Sequence, residues 1–146
     1  MRALIQRVRY AKVGIGGQTH SEIGTGLLVF LGVCREDEGK DASSLARKTA
    51  RLRVFPDAAG KLNLSLLEMG GEALVVSQFT LYGDCSKGLR PGFERAAPAA
   101  QAKELYEKFI AELTGEGIPV KSGVFQVDML VELANDGPVT LLLESR

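Results

Sequence analysis

The chain contains no apolar run near the roughly 20 residues that a membrane-spanning helix needs. Its opening residues, MRALIQRVRY, carry polar side chains throughout, without the uninterrupted apolar stretch and small-residue cleavage site of a secretory signal. Both absences predict a cytoplasmic protein. Net charge is also lacking: 18 lysines and arginines balance 18 aspartates and glutamates. That argues against a broad basic surface for non-specific nucleic-acid binding, while leaving room for local basic patches. Three such patches stand out: Arg2, Arg7, Arg9 and Lys12; Arg47, Lys48, Arg51 and Arg53; and Lys87, Arg90 and Arg95. By charge alone each reads as a solvated face balanced by nearby acids.

Residues for metal and nucleophile chemistry are scarce too. Cys34 and Cys85 stand far apart with no CxxC spacing, so they read as free thiols. With those two cysteines and a single histidine, His20, no zinc set is recognisable, and neither a metal nor a cofactor is expected. A serine hydrolase needs a base beside its nucleophile. His20 falls in a segment that reads as a hairpin, and Val76-Ser77-Gln78 lacks the flanking glycines of a GxSxG elbow.

What is present is one domain's worth of chain, 146 residues with 45% hydrophobic side chains, and no repeat or linker. Met1 to Val13 is rich in strand formers, and Gly14, Gly16 and Gly17 mark a hairpin turn. Leu27 to Val33 (LLVFLGV) is a continuous apolar run, as in a strand buried on both faces. Asp41 to Arg53 reads as a helix with Asp41 as its N-cap and Ala42, Leu45, Ala46, Thr49 and Leu52 on one face. Leu62, Leu64 and Leu66 alternate as in a half-buried strand. Ala73 to Leu81 (ALVVSQFTL) predicts a central strand that ends in polar residues. Pro98 opens a second helix with Ala102, Leu105, Tyr106, Phe109 and Leu113 at helical spacing and Gly115 as its C-cap. Val120 to Phe125, Met129 to Leu133 and Val139 to Leu143 predict closing strands. The sum is α+β, a single domain with a largely antiparallel or mixed, barrel-like sheet and two main helices.

Three segments carry polar chemistry. Ser77-Gln78-Phe79-Thr80-Leu81 places hydroxyls and an amide at a strand end, where they either line a pocket or bond across strands. Gly88-Leu89-Arg90-Pro91 is a shaped loop whose arginine suits a phosphate or carboxylate. Asn135-Asp136-Gly137-Pro138-Val139-Thr140 reads as a tight turn between two strands, with backbone carbonyls at Gly137-Pro138 as the functional alternative.

SQFTL at 77–81, GLRP at 88–91 and NDGPVT at 135–140 stand in the order in which the D-aminoacyl-tRNA deacylase family has them. QRV at 6–8, GLLVFLGV at 26–33 and GKLNLS at 60–65 fit the same pattern, so the chain resembles that family over essentially its whole length. The resemblance implies a homodimer that hydrolyses the ester of D-aminoacyl-tRNA, and of glycine mischarged on tRNA(Ala), while sparing L-esters. It implies a cis Gly137–Pro138 bond, inserted from one subunit into the partner's site as a chiral selector. Ser77, Gln78, Phe79 and Thr80 line the pocket for the terminal adenosine and aminoacyl group, Arg7 holds the Gly-Pro turn, and Met129 packs behind it, with Asn135 in support. Gln126 and Val127 depart from the small residues usual in the family at those positions, and Leu89 and Gly92 from its polar ones. Two other readings remain open at this stage: a tRNA- or RNA-binding module without catalysis, and a general esterase that uses Ser77.

Overall fold

The computed structural model describes residues 1–145. Its longest early element is β1 (Arg2–Ile15), which forms a hairpin with β2 (Gln18–Ile23) through the left-handed pair Gly16 and Gly17. β1 also pairs antiparallel with β3 (Gly26–Gly32) and with the last strand of the chain. β3 continues the sheet through parallel β6 (Glu72–Ser77) to parallel β7 (Val120–Ser122). The Ser21 hydroxyl donates to the Ser122 carbonyl at 2.9 Å and the Lys121 ammonium to the Glu22 carbonyl at 2.6 Å, so β7 curls back against β2 and the sheet nearly closes.

Side-chain alternation along β3 and β6 explains why both read as continuous apolar runs. Leu27, Val29, Leu31, Ala73 and Val75 enter the core beneath the helices. Leu28, Leu74 and Val76 point to the opposite face and fill the barrel interior with Val8, Ala11, Val13 and Ile23. A strand buried on both faces has no polar side to show. Each fully buried Leu or Ile among them stabilises the fold by about 1.5–3 kcal/mol. Gly26 sits where these strands come closest: a Cβ there would stand 1.9 Å from the Glu72 carbonyl oxygen, so only glycine fits.

The helices α1 (Gly39–Arg51) and α3 (Ala99–Gly115) cover one face of the sheet. α1 buries Ala42, Leu45, Ala46, Thr49 and Ala50, and α3 buries Leu105, Tyr106, Phe109 and Leu113. Between them lie the short hairpin of β4 (Phe55–Pro56) and β5 (Leu62–Leu64) and the one-turn helix α2 (Leu66–Met69).

Several sequence expectations are corrected. Glu38, not Asp41, is the N-cap of α1; Asp41 lies one turn in, and its carboxylate accepts the Glu38 N–H at 2.8 Å. Leu66 begins α2 rather than extending β5, because Ser65 and Glu68 form a reciprocal capping box there. β6 stops at Ser77, and Phe79–Tyr82 form a 3-10 turn instead of the strand's end. Gly115 is the last residue of α3, and Glu116 is its C-cap.

The largest correction concerns the C-terminus. The last two of the three expected closing strands, Met129 to Leu133 and Val139 to Leu143, are one strand, β8 (Leu130–Glu144), which stays on the same edge of β1 throughout. Thr140 pairs with Gln6 and Asn135 with Val8, so Asp136, Gly137, Pro138 and Val139 bulge out opposite Arg7. The turn residues make an excursion, not a reversal. Burial along β1 changes phase at the same place: Ile5 feeds the helix-side core, whereas Val8 feeds the barrel interior.

Candidate active site

A cavity of about 490 Å³ opens where β6 ends. Ser77 is the last residue of β6 in register with β3, opposite Leu31. The Gln78 N–H still bonds the Leu31 carbonyl at 2.8 Å, after which the chain leaves the sheet for the 3-10 turn. That turn is forced close to Gly32, whose missing Cβ would meet the Gln78 carbonyl oxygen at 3.1 Å. The carboxyl ends of parallel strands are where open sheets leave crevices for ligands.

Ser77, Gln78 and Phe79 line the cavity floor. The Gln78 side-chain amide donates to the Thr80 hydroxyl, which fixes the direction of its carbonyl. Thr80 itself is outside the lining and meets it only through this bond to Gln78. Phe79 is 55% exposed and meets Phe93 edge to face at 5.1 Å, an arrangement favoured by the ring quadrupoles.

One wall is the segment from Phe125 to Met129. Phe125 rests against Tyr106 at 5.9 Å between ring centres. The Tyr106 hydroxyl donates to the Val75 carbonyl at 2.9 Å, and burial pushes its pKa up to about 12, so it stays a neutral donor. Met129 lines the cavity beside Gly123, where an added Cβ would stand 2.5 Å from the Met129 sulfur. Gln126 has φ of 60°, the one non-glycine residue with positive φ among the described residues. Asp128 completes this wall with a carboxylate.

The other wall is the start of α3, through Ala99 and Ala102, with Ala96 and Ala97 before it. Pro98 gives this helix no side-chain cap, and no acid occupies its first turn. Sequence reasoning placed Ala102 on the apolar face of the second helix and gave Ala96 and Ala97 no role in a site. Alanines carry no chemical signal that would mark a wall.

Gly137, Pro138, Arg7 and Asn135 do not line this cavity. Arg7 is nonetheless built around the excursion. Its guanidinium is buried and donates to the carbonyls of Asp136 at 3.2 Å, of Gly137 at 3.4 Å and of Val54. It also pairs with the Asp136 carboxylate at 3.1 Å. Asn135 adds a second clasp, donating to the carbonyls of Arg7 at 2.9 Å and Val139 at 3.1 Å. Val139 is buried in the helix-side core and anchors the far end. Gly137 and Pro138 are exposed between these anchors, joined by a cis peptide bond.

His20 is exposed on β2 and borders a separate hollow with Ile15 and Gln18. Ser77 thus has no imidazole base from its own chain. Among the described residues no group of three His, Cys, Asp or Glu is placed to hold a metal ion, and no helix is long and apolar enough to cross a membrane.

Comparison with known proteins follows the same lines. The family model of D-Tyr-tRNA(Tyr) deacylase matches residues 4–144. The D-aminoacyl-tRNA deacylase of Desulforudis audaxviator is 57% identical over 146 residues, covering 100% of this chain and 98% of the relative. That of Anaeromyxobacter dehalogenans is 56% identical with the same coverage. A solved structure described as c-Myc DNA unwinding element binding protein superposes with a TM-score of 0.93 at 41% identity, covering 100% of this chain and 99% of that one. A probable eukaryotic D-amino acid tRNA deacylase shares the fold, with a TM-score of 0.86 at 16% identity over 98% of each chain. The fold and site define a barrel-like hydrolase scaffold with a pocket at the end of a parallel strand pair. The chain belongs to the D-Tyr-tRNA(Tyr) deacylase family.

Proposed function

We propose that this protein hydrolyses the ester of D-aminoacyl-tRNA, and of glycyl-tRNA, as a cytoplasmic homodimer in which each cavity receives the Gly137–Pro138 excursion of a second copy. The observation that carries this reading is a mismatch within one chain. The cavity holds Ser77, Gln78 and Phe79. The exposed backbone at Gly137 and Pro138, clasped by Arg7 and Asn135, does not border it. Leu141 and Leu142 follow the excursion with 41% and 52% exposure, an apolar surface suited to burial against another copy.

Discrimination then follows from sterics. D- and L-residues differ in which side of Cα carries the side chain. Main-chain groups held close to Cα leave no room for an L side chain, which is rejection by built-in clash. Glycine has nothing to exclude and enters. No contact to the D side chain is required, so many D-residues are accepted. Clasping by Arg7 and Asn135 supplies the stiffness that such exclusion needs.

The bond to be cleaved is an activated ester, and its barrier falls through orientation and through donors aimed at the developing oxyanion. Ser77 and Gln78, which line the cavity, are the residues assigned to that polarisation. Ser77 positions and polarises; the attack is assisted by the substrate's ribose 2′-hydroxyl. Trapping a covalent aminoacyl-Ser77 adduct by mass spectrometry would overturn that assignment. Single-turnover deacylation of matched D-, L- and glycyl-tRNA tests the activity. Rapid loss of the D- and glycyl esters with the L-ester spared is expected. Tight tRNA binding without hydrolysis would replace this reading with an RNA-binding one.

A further inference from the structure

The loop from Gly83 to Arg95 is fastened to the cavity floor at its base. Phe93 stacks edge-on against Phe79. Asp84 and Gly92 exchange backbone hydrogen bonds of 2.8 and 2.9 Å, and the Gly83 N–H bonds the Thr80 carbonyl at 2.9 Å. The tip, Lys87 to Arg90, projects fully into solvent, with Leu89 at 105% exposure.

Charge is sorted along this loop. The Asp84 carboxylate turns back onto the Ser86 N–H at 2.8 Å, and this bonding holds its pKa below the usual carboxylate range. The Glu94 carboxylate folds over Gly92, with one oxygen 2.6 Å from where a Gly92 Cβ would stand. Among the described residues, Lys87 and Arg90 make no ion pair or protein hydrogen bond. By contrast, Arg47 and Arg51 on α1 share Glu116, which neutralises part of that basic patch.

We infer that the Lys87–Arg90 tip is a phosphate clamp for the tRNA acceptor strand, mounted on the same turn that lines the cavity. This rests on the deacylase reading given above. A tRNA whose terminal nucleoside enters the cavity carries its next phosphates out over the rim, and Phe79–Phe93 ties that rim to the loop. Unpaired cations held near such a path neutralise phosphates and release counterions, which makes binding steeply salt-dependent. The contact is to the backbone, so it serves every tRNA sequence alike.

The test compares the wild type, the double variant Lys87→Ala/Arg90→Ala and the control Lys48→Ala. Two substrates are used, full-length D-tyrosyl-tRNA and 3′-D-tyrosyl-adenosine. The double variant is expected to raise the half-saturating concentration for the full tRNA roughly tenfold at low salt. It is expected to leave the nucleoside ester unchanged and to flatten the log–log salt dependence of binding by about 1 for each cation removed. Equal effects on both substrates, no effect on either, or an equal effect of Lys48→Ala would overturn the clamp. Filter binding of uncharged tRNA over a salt series reads the clamp separately. If the wild type fails to deacylate, the deacylase reading falls, and the binding slope still decides whether Lys87 and Arg90 hold phosphates.

Discussion

The guanidinium of Arg7 on β1 reaches the carbonyl of Gly137 at 3.4 Å, across the four-residue excursion in β8 that lies opposite it. The same side chain spans the Asp136 carbonyl, the Asp136 carboxylate and the Val54 carbonyl. One buried cation thus fixes the excursion to the helix-side core and to its own strand. Arg7→Ala removes it, leaving carbonyls and a carboxylate without their donor. A loss of about 2–4 kcal/mol of stability is expected from chemical denaturation. D-aminoacyl-tRNA deacylation should fall at least tenfold at a temperature where the variant is still folded, and L-ester hydrolysis should fall less than D. Arg7→Lys retains the charge without the fork and should rescue stability only in part. An Arg7→Ala variant with unchanged D-to-L selectivity contradicts the positioning role.

Gln126 occupies left-handed backbone at φ 60°, a region that costs a side-chain-bearing residue about 1–2 kcal/mol. Gln126→Gly relieves that strain while adding backbone freedom to the unfolded chain. A net gain of about 0.5–1 kcal/mol is expected, a rise of roughly 1–4 °C in Tm for a chain of this size. A fall in Tm would show that the Gln126 side chain contributes more than its backbone costs.

Gly26→Ala would place a methyl group 1.9 Å from the Glu72 carbonyl oxygen in the parallel β3–β6 pair. Backbone cannot yield as a flexible side chain does. Loss of more than about 3 kcal/mol, or failure to fold, is expected by circular dichroism. Gly60→Ala, where a Cβ meets nothing within 4 Å, tests left-handed backbone strain alone and should cost far less.

The Glu68 carboxylate accepts the Ser65 N–H and hydroxyl, which holds its pKa below its ordinary value of 4.5. A carboxylate lowered on folding contributes stability above its unfolded pKa and loses it as pH falls through the folded value. The wild type should therefore lose part of its stability as pH drops below about 4.5. Ser65→Ala should be less stable at neutral pH and should lose less over that acid range. Parallel pH curves for the two proteins would contradict the assignment.

Burial raises the pKa of the Cys34 thiol, whereas Cys85 is exposed on the basic loop. The thiolate is the reactive form. A thiol reagent at neutral pH should label Cys85 rapidly and Cys34 only after denaturation. Rapid labelling of both in the native protein would contradict the packing of Cys34 with Tyr82 and Ala96.

Legibility in the sequence followed the range of the interactions. β3, β6 and the two long helices were readable because apolar runs and helical spacing are local records of burial. Asn135-Asp136-Gly137-Pro138 was misread because turn residues serve a reversal and a bulge alike. What decides between them is that Thr140 and Asn135 both pair with β1, a contact more than 120 residues away in sequence. Asp41 was misplaced by one turn because a capping box uses carboxylates at both of its ends. Ser77, Gln78 and Phe79 were found together because they are adjacent in the chain. Their union with Gln126, Asp128 and the alanines of α3 was not legible, since alanine has no chemistry to betray a wall.

The most direct measurement uses mixed dimers with two affinity tags. One chain carries Gln78→Ala and an intact excursion; the other carries Gly137→Ala/Pro138→Ala and an intact cavity. The doubly substituted homodimer is expected to hydrolyse L- as well as D-tyrosyl-tRNA, because its main-chain barrier is displaced. In the mixed dimer the one working cavity receives the intact excursion of the other chain. D-ester hydrolysis with the L-ester spared is the predicted result. Continued L-ester hydrolysis by the mixed dimer would mean that each cavity is guarded by its own chain, and the shared-site account would fail.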